Sequence, residues 1–159
     1  MKTINKIMVA VDFSDYSEPA VQYAVDLAQD VSAELLLANI YNERDIERME
    51  MVAARVPEFS VDKHVGQHME DRRQRLAALA EKLVPGDIDV ETPVRIGVPY
   101  KGLLQLIEEK KPDLLVMGTK GRSNFVDMII GSCAQKMFRR SPIPLLSIRE
   151  SQSKENDFE

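Results

Sequence analysis

Five short apolar runs, each set apart from the next by a stretch with helical spacing, constrain this chain more than any other feature. The first, Ile7-Met8-Val9-Ala10-Val11, is near-continuous rather than alternating. That pattern predicts a strand covered on both faces, hence a central one. The others are Leu35-Leu36-Leu37-Ala38-Asn39-Ile40, Val90 to Ile96, Leu114-Leu115-Val116-Met117, and Leu145-Leu146-Ser147-Ile148 behind Pro144. Pro93 places the third at a sheet edge or a bulge.

Between the runs, Ala20, Val21, Ala24, Leu27, Ala28 and Val31 predict a helix over about 15–31, with Ser14, Asp15 and Ser17 available as caps. Ile46, Met49, Val52, Ala53 and Val56 suggest a further helix that Pro57 must stop, so the segment 42–68 reads as a partly helical excursion. From Met69, the residues Leu76, Leu79, Ala80 and Leu83 mark a long helix ended by Pro85-Gly86. Pro99 opens a helix with Leu103, Leu104 and Ile107 that Pro112 closes. Ser132 is read as the cap of the last helix, with Ala134, Met137 and Phe138 inward and Arg139 and Arg140 complementing its C-terminal dipole. Strands alternating with helices in this way define an α/β chain: a single-domain, doubly wound, mostly parallel five-stranded sheet.

Ligands of such sheets sit at the C-terminal ends of the strands, where strand order reverses. Two independent signals fall there. One is Asp12, at the end of the first run. The other is a spacing: Gly118, two residues, Gly121, nine residues, then Gly131-Ser132, between the fourth apolar run and the last helix. Glycines at a strand end, in a turn and at a helix start bring bare backbone N–H groups up to an anion, which is the geometry a phosphate needs.

Composition narrows the partners. With 44% hydrophobic and 30% charged residues, the 159-residue chain reads as one soluble domain over 1–150, followed by a short acidic, disordered tail at 151–159. No apolar run approaches the roughly 18 residues of a membrane span. Asp12, Asp15 and Glu18 interrupt any signal-peptide core, and the single cysteine, Cys133, excludes an internal disulfide framework; both predict a cytoplasmic protein. A net charge of −5 argues against nucleic acid as the main partner while leaving room for one small anion.

Val9-Ala10-Val11-Asp12-Phe13-Ser14, the Gly97-Val98-Pro99 turn, the approach Pro112 to Gly118, and the spacing from Gly118 to Ser132 together resemble the universal stress proteins over about residues 4–149. The full glycine spacing with its final Ser is similar to the ATP-binding branch. The resemblance implies an adenine nucleotide alpha hydrolase-like fold with strand order 3-2-1-4-5, a homodimer, and ATP held without an obvious catalytic machine. It implies that Val11 and Asp12 meet adenine and ribose, that Ile40 walls the base, and that Met117 and Gly118 line the nucleoside. Gly121 and Arg122 would lie near the phosphates, with donors from Gly131, Ser132 and Cys133. Lys120 stands where many relatives carry His and adds a positive charge there.

The function expected is an ATP-binding sensor or signalling module, with AMP or ADP as further ligands and Mg²⁺ as the usual companion of the phosphates. Hydrolysis would be slow or absent, since the chain has neither a P-loop nor a nucleophile elbow. Two other readings stay open: a nucleotide-free homodimeric interaction module acting through 42–68, and an enzyme of the ATP-pyrophosphatase kind, which would want glycines beside Asp12. The apolar run Leu145–Ile148 is the predicted dimer edge, and the protein partner is unknown.

Bland readings stand beside these. Asp12 would serve equally as a cap, Ser14 is a cap before it is a ligand, and Lys120 and Arg122 fit solvated loop charges. Cys133 at a helix N-terminus has two outcomes, a reactive thiolate or a shielded thiol. His64 and His68 read as surface histidines rather than metal ligands. Arg72, Arg73 and Arg75, interleaved with Glu70, Asp71 and Glu81, read as a solvated helix face.

Overall fold

In the computed structural model, which describes residues 2–119 and 130–149, one parallel sheet carries helices on both faces. In chain order the elements are β1 (Lys6–Ala10), α1 (Ser17–Val31), β2 (Glu34–Asn42), α2 (Glu43–Ala53), α3 (Val61–Leu83), β3 (Val90–Glu91) and β4 (Val94–Gly97). There follow α4 (Pro99–Lys110), β5 (Leu114–Gly118), α5 (Ser132–Arg140) and β6 (Leu145–Ile148). The sheet order is β3-β2-β1-β5-β6, with β4 also paired to β2.

This is the expected winding with one strand divided. Thr92-Pro93 splits the third run into β3 and β4, because proline has no N–H for the ladder. Both pieces pair with β2, Val90 opposite Leu35 and Val94 opposite Asn39, and the Pro93 carbonyl still accepts from Asn39 N–H at 3.1 Å.

The near-continuous apolar runs divide by parity between two cores. Ile7, Val9, Val11, Leu35, Leu37, Leu114 and Val116 pack with α1 and α3 on one face. Met8, Leu36, Ala38, Leu115 and Met117 pack with α4 and α5 on the other. Ile7, Met8 and Val9 are all fully buried. Each such side chain contributes about 1.5–3 kcal/mol, so the central strand anchors both layers.

The excursion resolves into two helices. Asn42 caps α2 by accepting from Arg44 N–H, and Ser60 caps α3 by accepting from Lys63 N–H, so α3 starts eight residues before the Met69 expected from its apolar pattern. Two helix caps are also corrected. Helix α1 begins at Ser17 behind Tyr16, and α5 is capped by Gly131 rather than Ser132, neither with a side-chain cap bond. Phe138, expected inward, is 46% exposed, because Ala134 and Met137 complete the buried stripe of α5. The expected phosphate-loop residues Lys120, Gly121 and Arg122, and the tail at 151–159, lie outside the described residues.

Candidate functional site at the strand switch point

Strand β1 is flanked by β2 on one side and β5 on the other, and the chain winds outward from it in both directions. A crevice must open where those windings part. It holds a cavity of ≈ 470 Å³, lined by Ala10, Val11, Asp12, Ala38, Asn39, Ile40, Met117, Gly118, Gly131, Ser132, Cys133 and Ala134. Thus Val11, Asp12, Ile40, Met117, Gly118, Gly131, Ser132 and Cys133, drawn from four separate elements and their turns, meet at one cavity.

The Asp12 wall is a tightly bonded turn. Asp12 Oδ1 accepts from Ser14 N–H at 3.0 Å and from the Ser17 hydroxyl at 2.9 Å, while Asp12 N–H donates to Ser17 Oγ at 3.2 Å. Phe13 between them takes φ 61°, an uncommon conformation for a bulky residue, and the Arg75 guanidinium covers its ring at 4.3 Å. Asp12 therefore braces the turn between β1 and α1 without capping the helix, and it also lines the cavity.

The opposite wall is the start of α5. Gly131 N–H donates to Thr119 O at 2.7 Å, tying this helix to the end of β5. Gly131 O accepts from Gln135 N–H, the first bond within the helix. The N–H groups of Ser132, Cys133 and Ala134 precede that ladder and have no side-chain cap, and all three residues line the cavity. The Cys133 thiol is pushed up to about 11, first by burial and then by the Asp12 charge, with Lys136 opposing. It is a neutral thiol, and the reactive-thiolate reading does not hold.

Several cavity residues were not expected from sequence. Asn39, 1% exposed, donates through Nδ2 to Val11 O at 2.7 Å and accepts at Oδ1 from Arg72 Nη1 at 3.0 Å. Arg72 is 8% exposed, and its guanidinium sits 4.3 Å from the ring centroid of Tyr41. The solvated-face reading is thus corrected for Arg72. The usable signal is its register: Arg72, Leu76 and Ala80 form the buried stripe of α3. His64 and His68 do not form a metal pair: they stack on Phe59 and Tyr41 respectively. Helix α2 adds Asp45 and Arg48 to the wall, paired at 3.4 Å. Among the described residues no cluster suited to a metal occurs, and no helix is long and apolar enough to cross a membrane.

A doubly wound parallel sheet with a polar cavity at its switch point is a ligand-binding class of fold. Within that class, the sequence profile of the universal stress protein family matches residues 3–149, and this chain belongs to that family. It is 30% identical over 146 residues to the universal stress protein YxiE of Bacillus subtilis, covering 91% of this chain and 99% of that one. Among solved structures it is similar to MJ0577 of Methanocaldococcus jannaschii, with TM-score 0.81 and 20% identity over 96% of this chain and all of that one. A universal stress protein solved in complex with cAMP superposes with TM-score 0.61 and 24% identity, over 93% of this chain and 98% of its own. At these identities the structural likenesses show the fold.

Proposed function

We propose that this protein binds an adenine nucleotide, ATP foremost and AMP or ADP in its place, and acts as a nucleotide-dependent sensor or signalling module. The observation that carries this reading is the meeting of the uncapped N–H groups at the α5 start with the Val11–Asp12 turn and Ile40 in one cavity. Phosphate is held at the helix start, where each anionic group gains about 0.3–1 kcal/mol when exposed and up to about 2 kcal/mol when partly buried. Ribose meets Asp12, and the base lies toward Ile40. The family neighbour that binds cAMP supports an adenine ligand. Mg²⁺ accompanies the phosphates, held largely by them and by water.

Hydrolysis is slow or absent. The described cavity wall carries no histidine, Asp12 Oδ1 is engaged by Ser14 and Ser17, and the Cys133 thiol is neutral. Binding rather than turnover is the working output. Strand β6, an outer strand of the sheet, pairs two copies through Leu145–Ile148 in a cytoplasmic homodimer. Sedimentation as a monomer at micromolar concentration would count against that pairing.

A nucleotide-free interaction module is favoured by one observation, the exposure of Met51, Val52 and Val56 on the excursion. One experiment decides between the two. The purified protein is denatured, any released nucleotide is identified, and ATP and AMP are titrated against wild type and Gly131→Val. Gly131 has φ −67°, so the backbone tolerates valine while the cavity wall gains bulk. Weaker binding by the variant is expected; equal binding by both proteins excludes this site.

A further inference from the structure

A second cavity, of ≈ 460 Å³, opens at the other ends of the strands from the switch point. Lys111 and Pro112 lead into β5 there, Pro142 and Ile143 lead into β6, and Arg140 ends α5. Leu104 and Ile107 of α4, with Ile143, supply its apolar part and belong to the core beneath it. Three cations border it. Lys2 is committed to Asp113 at 3.1 Å. Lys111 and Arg140 are exposed, and among the described residues their side chains pair with no carboxylate; the same holds for Lys136, one turn before Arg140. Lys136 Nζ and Arg140 Cζ lie 4.6 and 5.2 Å from the Tyr100 ring centroid. A guanidinium on a ring uses its face and keeps its N–H edge free to donate, so the ring orders these side chains without occupying their donors.

Elsewhere the chain neutralises its own cations: Lys6 with Glu34, Lys82 with Glu18, Arg95 with Glu109 and Lys110 with Glu91. In a chain of net charge −5, unpaired cations around one apolar cavity make a local field opposite to that of the whole molecule. Glu108 is the one carboxylate in the wall and offsets it only in part. The dipole of α5 accounts for a cation at its last residue, not for the apolar cavity beside it. Lys136 stands one turn, about 6 Å, further along α5, so the cations form a row rather than a point. A row beside a recess suits an extended chain with one buried side chain better than a small anion or a flat lipid surface. We infer that this cavity docks an acidic protein segment that carries one apolar side chain among its carboxylates. The apolar side chain enters beside Leu104, Ile107 and Ile143. Carboxylates flanking it meet Lys111 and Arg140, and Lys136 continues the row. This docking stands apart from the nucleotide reading, at the other end of the sheet.

A fluorescein-labelled peptide with one leucine between two pairs of glutamates is titrated into the full chain at low salt, as wild type, Lys111→Glu, Arg140→Glu and Glu108→Gln, with thermal melts reporting folding. Wild-type affinity is expected to fall about tenfold between about 50 and about 300 mM salt, as screening removes the attraction. Exchanging the peptide leucine for serine is expected to cost about tenfold more, the value of one apolar side chain left outside the cavity. Lys111→Glu and Arg140→Glu are each expected to weaken binding about three- to tenfold, and Glu108→Gln to tighten it about twofold. Cations that served only the helix ends would move the melts and leave peptide affinity unchanged. No binding by wild type, equal binding of the leucine and serine peptides, or unchanged affinity in the folded charge-reversed proteins overturns the inference. So does either other occupant: phosphatidylglycerol vesicles that bind wild type but not Arg140→Glu while the peptide binds neither, or a wild-type dimer that Arg140→Glu makes monomeric with no peptide bound by either. Should Arg140→Glu fail to fold, Arg140→Gln takes its place, and the leucine-to-serine exchange tests the cavity with the protein unaltered.

Discussion

Gly102 of α4 lies so close to Ile40 of β2 that a β-carbon there would stand 2.7 Å from Ile40 Cδ1 and 3.0 Å from Cγ1. The missing side chain sets the position of Ile40 at the cavity wall. Gly102→Ala gains about 1 kcal/mol of helix propensity but overpacks the contact, which typically costs about 1–3 kcal/mol. A net loss of about 1 kcal/mol is expected, read as a lower urea midpoint. Adding Ile40→Val, which removes the Cδ1 methyl, should recover most of it.

The Asp12–Ser17 reciprocal bond closes the turn between β1 and α1. Asp12→Ala leaves Ser14 N–H and the Ser17 hydroxyl without that acceptor, and should lower stability by about 1–2 kcal/mol. Asp12→Asn keeps an oxygen at Oδ1 and should lose less. Chemical denaturation of the two variants checks the order, which a purely ligand-contacting Asp12 would not produce.

Cys133 gives a signed dependence at high pH. Its thiol ionises near 11 in the folded protein and at the ordinary value, near 8.5, when unfolded, so the unfolded state releases its proton first. This contribution is intact below about pH 8.5 and is lost as pH rises toward 11. Cys133→Ser should flatten that limb of the stability profile. At pH 8, iodoacetamide should modify native Cys133 far more slowly than the denatured chain.

Asp113 gives the opposite sign. Its carboxylate accepts from Asn5 N–H at 2.9 Å and Lys6 N–H at 3.1 Å and pairs with Lys2, fixing the β1 entry beside β5. The Asn5 N–H bond first, then Lys2 and the Lys6 N–H, hold this carboxyl below its usual value against a desolvation that raises it. Its contribution is present above the unfolded value near 3.9 and is lost as pH falls through the lower folded one. Asp113→Ala should reduce stability at pH 7 by about 1 kcal/mol and soften the acid limb of the same titration.

The winding of the sheet was legible because parity and spacing are local properties. The run Ile7–Val11 needs apolar residues on both faces wherever β1 lies, and Pro99 and Pro112 delimit α4 without tertiary help. Val11, Asp12, Gly118 and Gly131 were legible for a similar reason: each sits at a strand end or helix start in sequence. Asn39 and Arg72 were harder. Their partners lie 28 and 33 residues away, and the exposed Arg73 and Arg75 beside Arg72 on α3 disguise the one that turns inward. The α1 start differs from the expected caps because the Asp12 carboxylate takes up the Ser14 N–H and the Ser17 hydroxyl.

Hydrogen exchange with and without ATP tests the central claim most directly. Binding in the switch-point cavity predicts slowed exchange at the amides of Ser132, Cys133 and Ala134 together with segments 10–12 and 39–42, and little change at the opposite ends of the strands. Saturating ATP that leaves the Ser132–Ala134 amides unprotected would contradict the account.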